Sequence, residues 1–296
     1  MCGDKFPAGV EIMPNKSLDE FPNIVVHSGV FTKKTGNTEV TFSVENYQED
    51  VMQLLKKLRW KFTGWALFCE ILRQRGKTML ITPYTAGMES LSPTDTNKQA
   101  VDKLKKNFNA TAGPKNWSDA TPKGQQPLSC GGSNQNQTFG AGTGTGTGSD
   151  AIVKFTPGMW TSDQVEAAFG KTNAKGPGVG PDEILLHEMT HGMRQMTGTS
   201  LCSATPDQPG LDTVEEFMAI LVSNVYRSEI LKTDLRQDHW GFIAMKPTPT
   251  SQEFLDANKG AATNNKQRMD LLKSQHAQFC TNMKKVPATF NPFLLL

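Results

Sequence analysis

The sequence lacks the features that place a chain in a membrane or on a nucleic acid. No apolar run approaches the roughly 18 residues that cross a bilayer, because the best candidate, 62–72, contains Glu70. With 31 basic and 29 acidic side chains, the net charge is only +2. The densest basic cluster, 103–106, is too short for the basic stripe of a nucleic-acid-binding protein. We therefore expect neither a nucleic-acid nor a membrane partner.

Targeting signals and closely spaced cysteines are also missing. The N-terminus has no apolar segment of the kind that directs classical secretion. The five cysteines show no C-x-x-C spacing, which argues against a thiolate zinc site and allows at most two disulfides. We expect a chain that is made in the cytoplasm with most cysteines reduced. Export by a specialised secretion system, which needs no such N-terminal segment, is compatible with this sequence.

What is present is an ordinary globular composition, in a chain long enough for one large domain or two modest ones. Short β-like runs at 9–13, 23–27 and 39–43, between turn residues, predict an extended N-terminal segment over 1–45, packed on the core. The remainder, 46–296, is predicted to be one domain with a Gly/Thr-rich insertion at about 109–149. Its tract 140–150 lacks the Gly-Lys-Ser/Thr of a phosphate-binding loop. We therefore interpret this tract as a flexible loop or linker.

Helical and extended patterns alternate through this domain and predict an α+β fold. Apolar residues at spacings of three and four predict a helix that begins near Asn46, is interrupted near Gly64 and ends at Gly76. The run 77–82 is predicted to be a strand that ends before Pro83. A further strand is predicted at 150–155, between glycine and proline.

The most informative motif is an H-E-x-x-H sequence, formed by His187, Glu188 and His191 inside a predicted helix. The Gly-Pro pair at 180–181 suits the start of that helix, and Gly198 suits its end. A spacing of four puts both histidines on one face, so both imidazoles can bind one zinc ion. Glu188 is then placed to take a proton from a zinc-bound water. The alternative is a pair of core histidines satisfied by hydrogen bonds.

A catalytic zinc takes three protein ligands and keeps one position open. No histidine follows at the spacing of a three-histidine site, so the third ligand is expected on a second amphipathic helix over 212–229. Glu215 and Glu216 are the candidates, and either could instead complete a capping box. If Asp212 caps the helix, Glu215 is used at the helix start and Glu216 is free. We favour Glu216, with Glu215 as the alternative.

A peptidase also needs a donor that stabilises the oxyanion opposite the zinc. His239 is the first candidate and Tyr226 the second, and the competing interpretation of His239 is a surface-loop histidine. The other two histidines receive no role. His27 is expected to be a half-buried structural residue, and His276, on a predicted helix over 264–284, is expected to face solvent.

Three stretches, 184–194, 214–226 and 235–239, carry a resemblance to a known group of enzymes. They are similar to the zinc metallopeptidase domains of bacterial secreted effectors and toxins, in the gluzincin clan. The protease domain of lethal factor looks similar around Glu216, where Phe-Met-Ala follows the glutamate ligand. Ile220 departs from the resemblance, since lethal factor has a second glutamate there.

The resemblance implies a zincin-like fold, with a small mixed sheet, an active-site helix and a second helix that carries the glutamate ligand. It also implies that the strand at 151–155 lies along the edge of the cleft and holds substrate by β-augmentation.

Two functions follow from these residues. In the first, the chain is a zinc endopeptidase, a secreted effector or toxin that cuts a protein or peptide and has secretion machinery or an immunity protein as a further partner. In the second, it is a non-catalytic interaction module, in which a structural zinc or hydrogen bonding alone joins two helices.

Overall fold

The computed structural model describes residues 15–35, 38–85, 92, 94–105, 109–123, 125, 145–261 and 263–296. Strands in this part of the chain form one five-stranded sheet and one two-stranded hairpin. They are β1 (Lys16–Leu18), β2 (Phe21–Val26), β3 (Val30–Thr35), β4 (Thr38–Ser43), β5 (Met79–Thr82), β6 (Thr111–Pro114) and β7 (Ala151–Lys154).

Helices of very different lengths surround the sheet. They are α1 (Tyr47–Arg59), α2 (Phe62–Leu72), α3 (Asn97–Lys105), α4 (Trp117–Ala120), α5 (Ser162–Phe169), α6 (Pro181–Thr197), α7 (Val214–Glu229), α8 (Ser251–Asp256), α9 (Asn265–Gln275) and α10 (Ala277–Met283). The predicted α+β class with a small mixed sheet is therefore confirmed. Within the described ranges, no helix is both long and apolar enough to cross a membrane.

The five-stranded sheet has the order β1-β2-β5-β7-β6. Its three central strands are parallel, and β1 and β6 pair antiparallel at the two edges. The strands predicted at 77–82 and 150–155 are confirmed as β5 and β7. The expectation that 151–155 lies at the cleft edge is wrong, because β6 pairs with β7 and takes the edge.

The N-terminal segment and the insertion both contribute to this architecture. Predicted runs at 23–27 and 39–43 correspond to β2 and β4, while the run at 9–13 lies outside the described residues. Part of the segment interpreted as an insertion, 109–149, contains β6 and α4. That part therefore belongs to the main sheet and its surroundings. Of the tract interpreted as a loop or linker, 140–144 lies outside the described residues and 145–150 forms neither helix nor strand.

The long helical region after Asn46 breaks earlier than predicted. α1 ends at Arg59 and α2 begins at Phe62, so Gly64 lies within α2. A Cβ atom at Gly64 would lie 2.1 Å from the carbonyl oxygen of Leu58. This glycine is thus required where the two helices approach each other, and it does not end either of them.

α6 and α7 form the centre of the molecule and pack against each other. As predicted, α6 begins after Gly180 and ends at Gly198, which has a left-handed φ of 72°. Buried ion pairs join the start of α6 to the end of α7 (Glu183 with Arg227) and the end of α6 to the start of α7 (Arg194 with Glu215). The two helices are therefore antiparallel.

The C-terminal region differs from the predicted single helix over 264–284. α9 and α10 are separate helices that meet at His276. This histidine is buried, so the expectation that it faces solvent is wrong. Its ring nitrogens contact Thr199 and Glu70, which lie far from it in sequence. His27, by contrast, is half-buried as expected, and its Nδ1 accepts a hydrogen bond from the Gly29 amide.

Candidate metal centre

Helix α6 presents the two histidines of the H-E-x-x-H motif side by side. His187 and His191 are one turn apart on a helix whose other faces are filled by buried apolar side chains. Their ring planes are inclined by 82°, and their Nε2 atoms are 3.1 Å apart. Both Nε2 atoms therefore face a common point.

Glu216, in the first turn of α7, completes a triangle of donor atoms. Its Oε2 is 3.2 Å from Nε2 of His187, and its Oε1 is 3.4 Å from Nε2 of His191. A tetrahedron with zinc–ligand bonds of about 2.0–2.1 Å has edges of about 3.3–3.4 Å. Each contact is close to such an edge, but the two contacts of Glu216 end on different oxygens. One donor atom from each of the three residues lies within 4.8 Å of the others, a spacing that lets all three residues bind one metal ion.

The electrostatics of this triangle favour an added positive charge. Burial lowers the pKa of His187 to about 3, so this imidazole is neutral, the form that binds a metal. Burial would also lower the pKa of His191, but the carboxylates of Glu216 and Glu215 raise it well above its ordinary value. Burial opposes ionisation of Glu216 too, yet the charge on His191 holds the pKa of that carboxyl well below its usual range. A proton on His191 or a metal cation can supply the charge.

Two buried polar atoms at the centre have no hydrogen-bond partner among the described residues. They are Oε2 of Glu216 and Nδ1 of His187. Buried carboxylate oxygens in native proteins are almost always satisfied. Because Oε2 faces imidazole nitrogens at contact distance, a cation among these groups would satisfy it. The donor set therefore fits a metal ion.

Glu188, the remaining acid of the motif, is buried beside the histidines. Burial raises its pKa to about 7, a value suited to a general base near neutral pH. A bound cation would lower that pKa, because the ion's charge stabilises a nearby carboxylate. Glu188 also lines a cavity of about 120 Å³, together with Asn109, Ala110, Trp160, Phe169, Ile184, His187, Arg236, His239, Trp240 and Phe242.

His239 reaches the centre from the loop that follows α7. Its Nε2 is 3.3 Å from Oε2 of Glu216, and its ring is stacked 6.2 Å from that of His187. Its Nδ1 lies 2.8 Å from Oδ2 of Asp212, which also accepts a hydrogen bond from Nε1 of Trp240. Asp212 has a strained left-handed φ of 56°. The structure thus brings His239 to the centre, and it assigns Asp212 a position that sequence reasoning did not foresee.

Tyr226, the second candidate oxyanion donor, is directed elsewhere. Its hydroxyl donates to Oδ2 of Asp182 at 2.5 Å, near the start of α6. Burial and the neighbouring carboxylate raise the pKa of Tyr226, so the hydroxyl stays protonated and donates. Lys57 binds the same carboxylate. Tyr226 therefore joins helices α6 and α7 and does not reach the cavity.

Glu215 and Glu216 have different roles, but not for the reason expected from helix capping. The N-cap of α7 is Thr213, whose hydroxyl accepts a hydrogen bond from the amide of Glu216. Asp212 therefore does not cap the helix, and that reason for favouring Glu216 is wrong. Glu216 faces the histidines, while Glu215 forms a buried ion pair with Arg194. The placement of Glu216 follows from the helical rotation between neighbouring residues.

The residues that line the smaller cavity lie in separate parts of the sequence, and no local sequence pattern indicates that they meet. Trp160, Phe169 and Phe242 form an aromatic cluster, in which the guanidinium of Arg236 lies 4.4 Å from the Phe242 ring. Arg236 also donates to the carbonyls of Asp238 and His239, which holds the loop. A larger cavity, of about 490 Å³, contains none of the metal-centre residues. The smaller cavity is thus the one adjacent to the donor triangle.

Comparison with protein-family models, with curated protein sequences and with solved structures gives no match for this chain.

Proposed function

We propose that this protein is a zinc-dependent endopeptidase. The observation that carries the proposal is the donor triangle of His187, His191 and Glu216, whose contacts of 3.1–3.4 Å bring two imidazole nitrogens and one carboxylate together as ligands for one zinc ion. Three protein ligands leave one position open, which is typical of catalytic rather than structural zinc. Zinc bound there would polarise a carbonyl and acidify a water.

The surrounding residues supply the proton transfers and the hydrogen bonds of peptide hydrolysis. Glu188 is the general base, because it is buried beside the ligands and lines the adjacent cavity. His239, oriented by Asp212, is the donor to the developing oxyanion. This assignment leaves Tyr226 outside the mechanism.

The substrate is proposed to be a protein or peptide in an extended conformation. β6 is the edge strand beside α6, and Asn109 and Ala110, which line the cavity, directly precede it. An extended peptide added to β6 would therefore pass the donor triangle, whereas β7 cannot accept one. The aromatic wall of the cavity fits an apolar side chain of that peptide.

The proposal includes action outside the cell that makes the protein, as an exported effector or toxin. Cys202 is disulfide-bonded, while Cys69 and Cys280 are free. Disulfides persist mainly in oxidising compartments. The bond at Cys202 supports export. The expectation that most cysteines are reduced concerns all five, and Cys2 and Cys130 lie outside the described residues.

Substitution of the general base tests the proposal directly. Glu188→Gln should keep about one zinc per chain and lower cleavage of a peptide library by at least about 10²-fold. Glu183→Gln is a matched control, since Glu183 is a buried acid on the same helix that pairs with Arg227. The rate at which this variant cleaves the peptide library should stay close to that of the native protein.

The alternative function predicts different results in the same measurements. A native protein that binds zinc but cuts no peptide would favour the non-catalytic module with a structural zinc. Metal-replete protein without stoichiometric zinc would favour the module without metal. Full cleavage by the Glu188→Gln variant would refute the assigned base.

A further inference from the structure

A second layer of charged groups lies behind the donor triangle. Oε2 of Glu215 is 3.8 Å from Nδ1 of His191, on the side of the ring opposite the metal-facing Nε2. Arg194 donates through Nε to both oxygens of Glu215, at 2.8 and 3.0 Å. The amide of Leu201 donates to the same carboxylate at 2.6 Å. Glu215 is therefore fixed from three directions.

Arg194 is fixed in turn by the segment that follows α6. Its Nη2 donates to the carbonyl oxygen of Thr199 at 2.6 Å. The Thr199 hydroxyl contacts Nε2 of His276 at 2.9 Å, and Nδ1 of His276 lies 3.3 Å from Glu70. Arg194, Glu215 and His276 are at most 2% exposed. A buried polar chain thus leads from the candidate ligand His191 through the body of the protein.

We propose that Glu215, held by Arg194, is a positioning residue that orients His191 toward the metal. This inference rests on the proposed metal centre. A carboxylate behind a ligand imidazole fixes its tautomer and ring orientation and increases its basicity. His187 has no such partner at Nδ1 among the described residues. Of the two candidate histidine ligands, His191 is therefore the one that a carboxylate behind the ring orients.

A purely structural role for the Arg194–Glu215 pair is the competing explanation, and the molecule contains its own control. Glu183 and Arg227 form a second buried ion pair between the same two helices, at their other end. Breaking either pair removes a carboxylate partner from a buried arginine and destabilises the fold, although Arg227 keeps Asp234 as a second carboxylate partner. Only the loss of the Glu215 carboxylate should alter the metal centre.

The experiment compares Glu215→Gln with Glu183→Gln in the full chain. Zinc affinity is measured by competition with a chelator, and the visible spectrum of the Co²⁺-substituted protein reports ligand geometry. We expect Glu215→Gln to weaken zinc binding by roughly 10- to 100-fold and to change the Co²⁺ spectrum. Glu183→Gln should keep native affinity and spectrum despite a loss of thermal stability.

Two results would overturn the inference: native zinc affinity in Glu215→Gln, or an equal loss of affinity in both variants. If Glu215→Gln does not fold, Arg194→Lys provides the same test. Lysine keeps the positive charge but cannot reproduce the contacts of the guanidinium with both oxygens of Glu215. That variant should bind zinc more weakly than the native protein, and unchanged affinity would count against the inference. A native chain that binds no zinc would instead refute the metal centre itself.

Discussion

His239 and His276 each place Nδ1 against a carboxylate, and they differ in what Nε2 faces. In His239, Asp212 holds Nδ1, and Nε2 points to Glu216 at the cavity. In His276, Glu70 holds Nδ1, and Nε2 meets the hydroxyl of Thr199 in the interior. The same pair of side chains therefore leaves a ring nitrogen facing the cavity in one place and none in the other.

Exposure follows the same division. The His239 side chain is 22% exposed, whereas that of His276 is completely buried. A histidine acts on substrate only if its second nitrogen can reach the reacting atoms. The comparison therefore supports the proposed role of His239 at the oxyanion, and it places His276 in the packing of α9 and α10 behind α6.

Removing each imidazole should produce the largest difference between the two histidines. His239→Ala should lower kcat by about 10²–10³-fold, the usual effect of losing an oxyanion donor, and leave zinc affinity unchanged. His276→Ala should leave kcat within a few-fold of native but lower the free energy of unfolding by about 2–4 kcal/mol, because Glu70 and Thr199 lose a buried partner.

Steady-state kinetics, zinc titration and urea unfolding of both variants check this prediction. A loss of zinc affinity in His239→Ala would identify His239 as a fourth ligand instead of a donor. Equal losses of kcat in the two variants would remove the distinction drawn from their Nε2 environments.

Local signals explain which parts of the fold and the site could be predicted from the sequence. α6 has its start, its end and both histidines within one continuous stretch, so periodicity and glycine positions define it. β6 has four residues and ends in proline, and it becomes a strand only by pairing with β7 about 40 residues later. Such pairing leaves no periodic pattern in a short segment.

The roles of single polar residues depended on contacts that the sequence cannot display. Burial of His276 requires Glu70, which lies 206 positions away. Asp212 was treated only as a possible helix cap, yet its carboxylate binds His239, 27 residues later. Glu216 was placed correctly near the histidines, although the capping residue is Thr213. Residue type thus indicated the chemistry, while long-range packing selected the partner.

Asp212→Asn tests whether the negative charge of the Asp212 carboxylate is needed for the proposed role of His239. His239 and Trp240 both contact Oδ2 of Asp212, so the single oxygen of the amide can replace that acceptor while the negative charge is lost. Losing a charged hydrogen bond of about 1.5–3 kcal/mol predicts a fall in kcat of roughly 10- to 100-fold, smaller than for His239→Ala. Zinc affinity should not change.

The control for this variant is Asp234→Asn, which removes a carboxylate paired with Arg227 at the start of the same loop. Its kcat should stay within about twofold of native, since Asp234 is outside the cavity lining and Arg227 keeps Glu183 as a partner. A similar fall in both variants would show that Asp212 acts through the fold of the loop and not through the imidazole.

Of the variants that address the proposed mechanism, Tyr226→Phe should have the smallest effect on kcat. The hydroxyl donates to Asp182, which keeps Lys57 as a partner, so the loss should cost about 1–2 kcal/mol of unfolding free energy. Because the ring stays in place, kcat and zinc affinity should equal the native values. Kinetics and urea unfolding measure both quantities. A fall in kcat above tenfold with zinc retained would contradict the assignment of the oxyanion role to His239 alone.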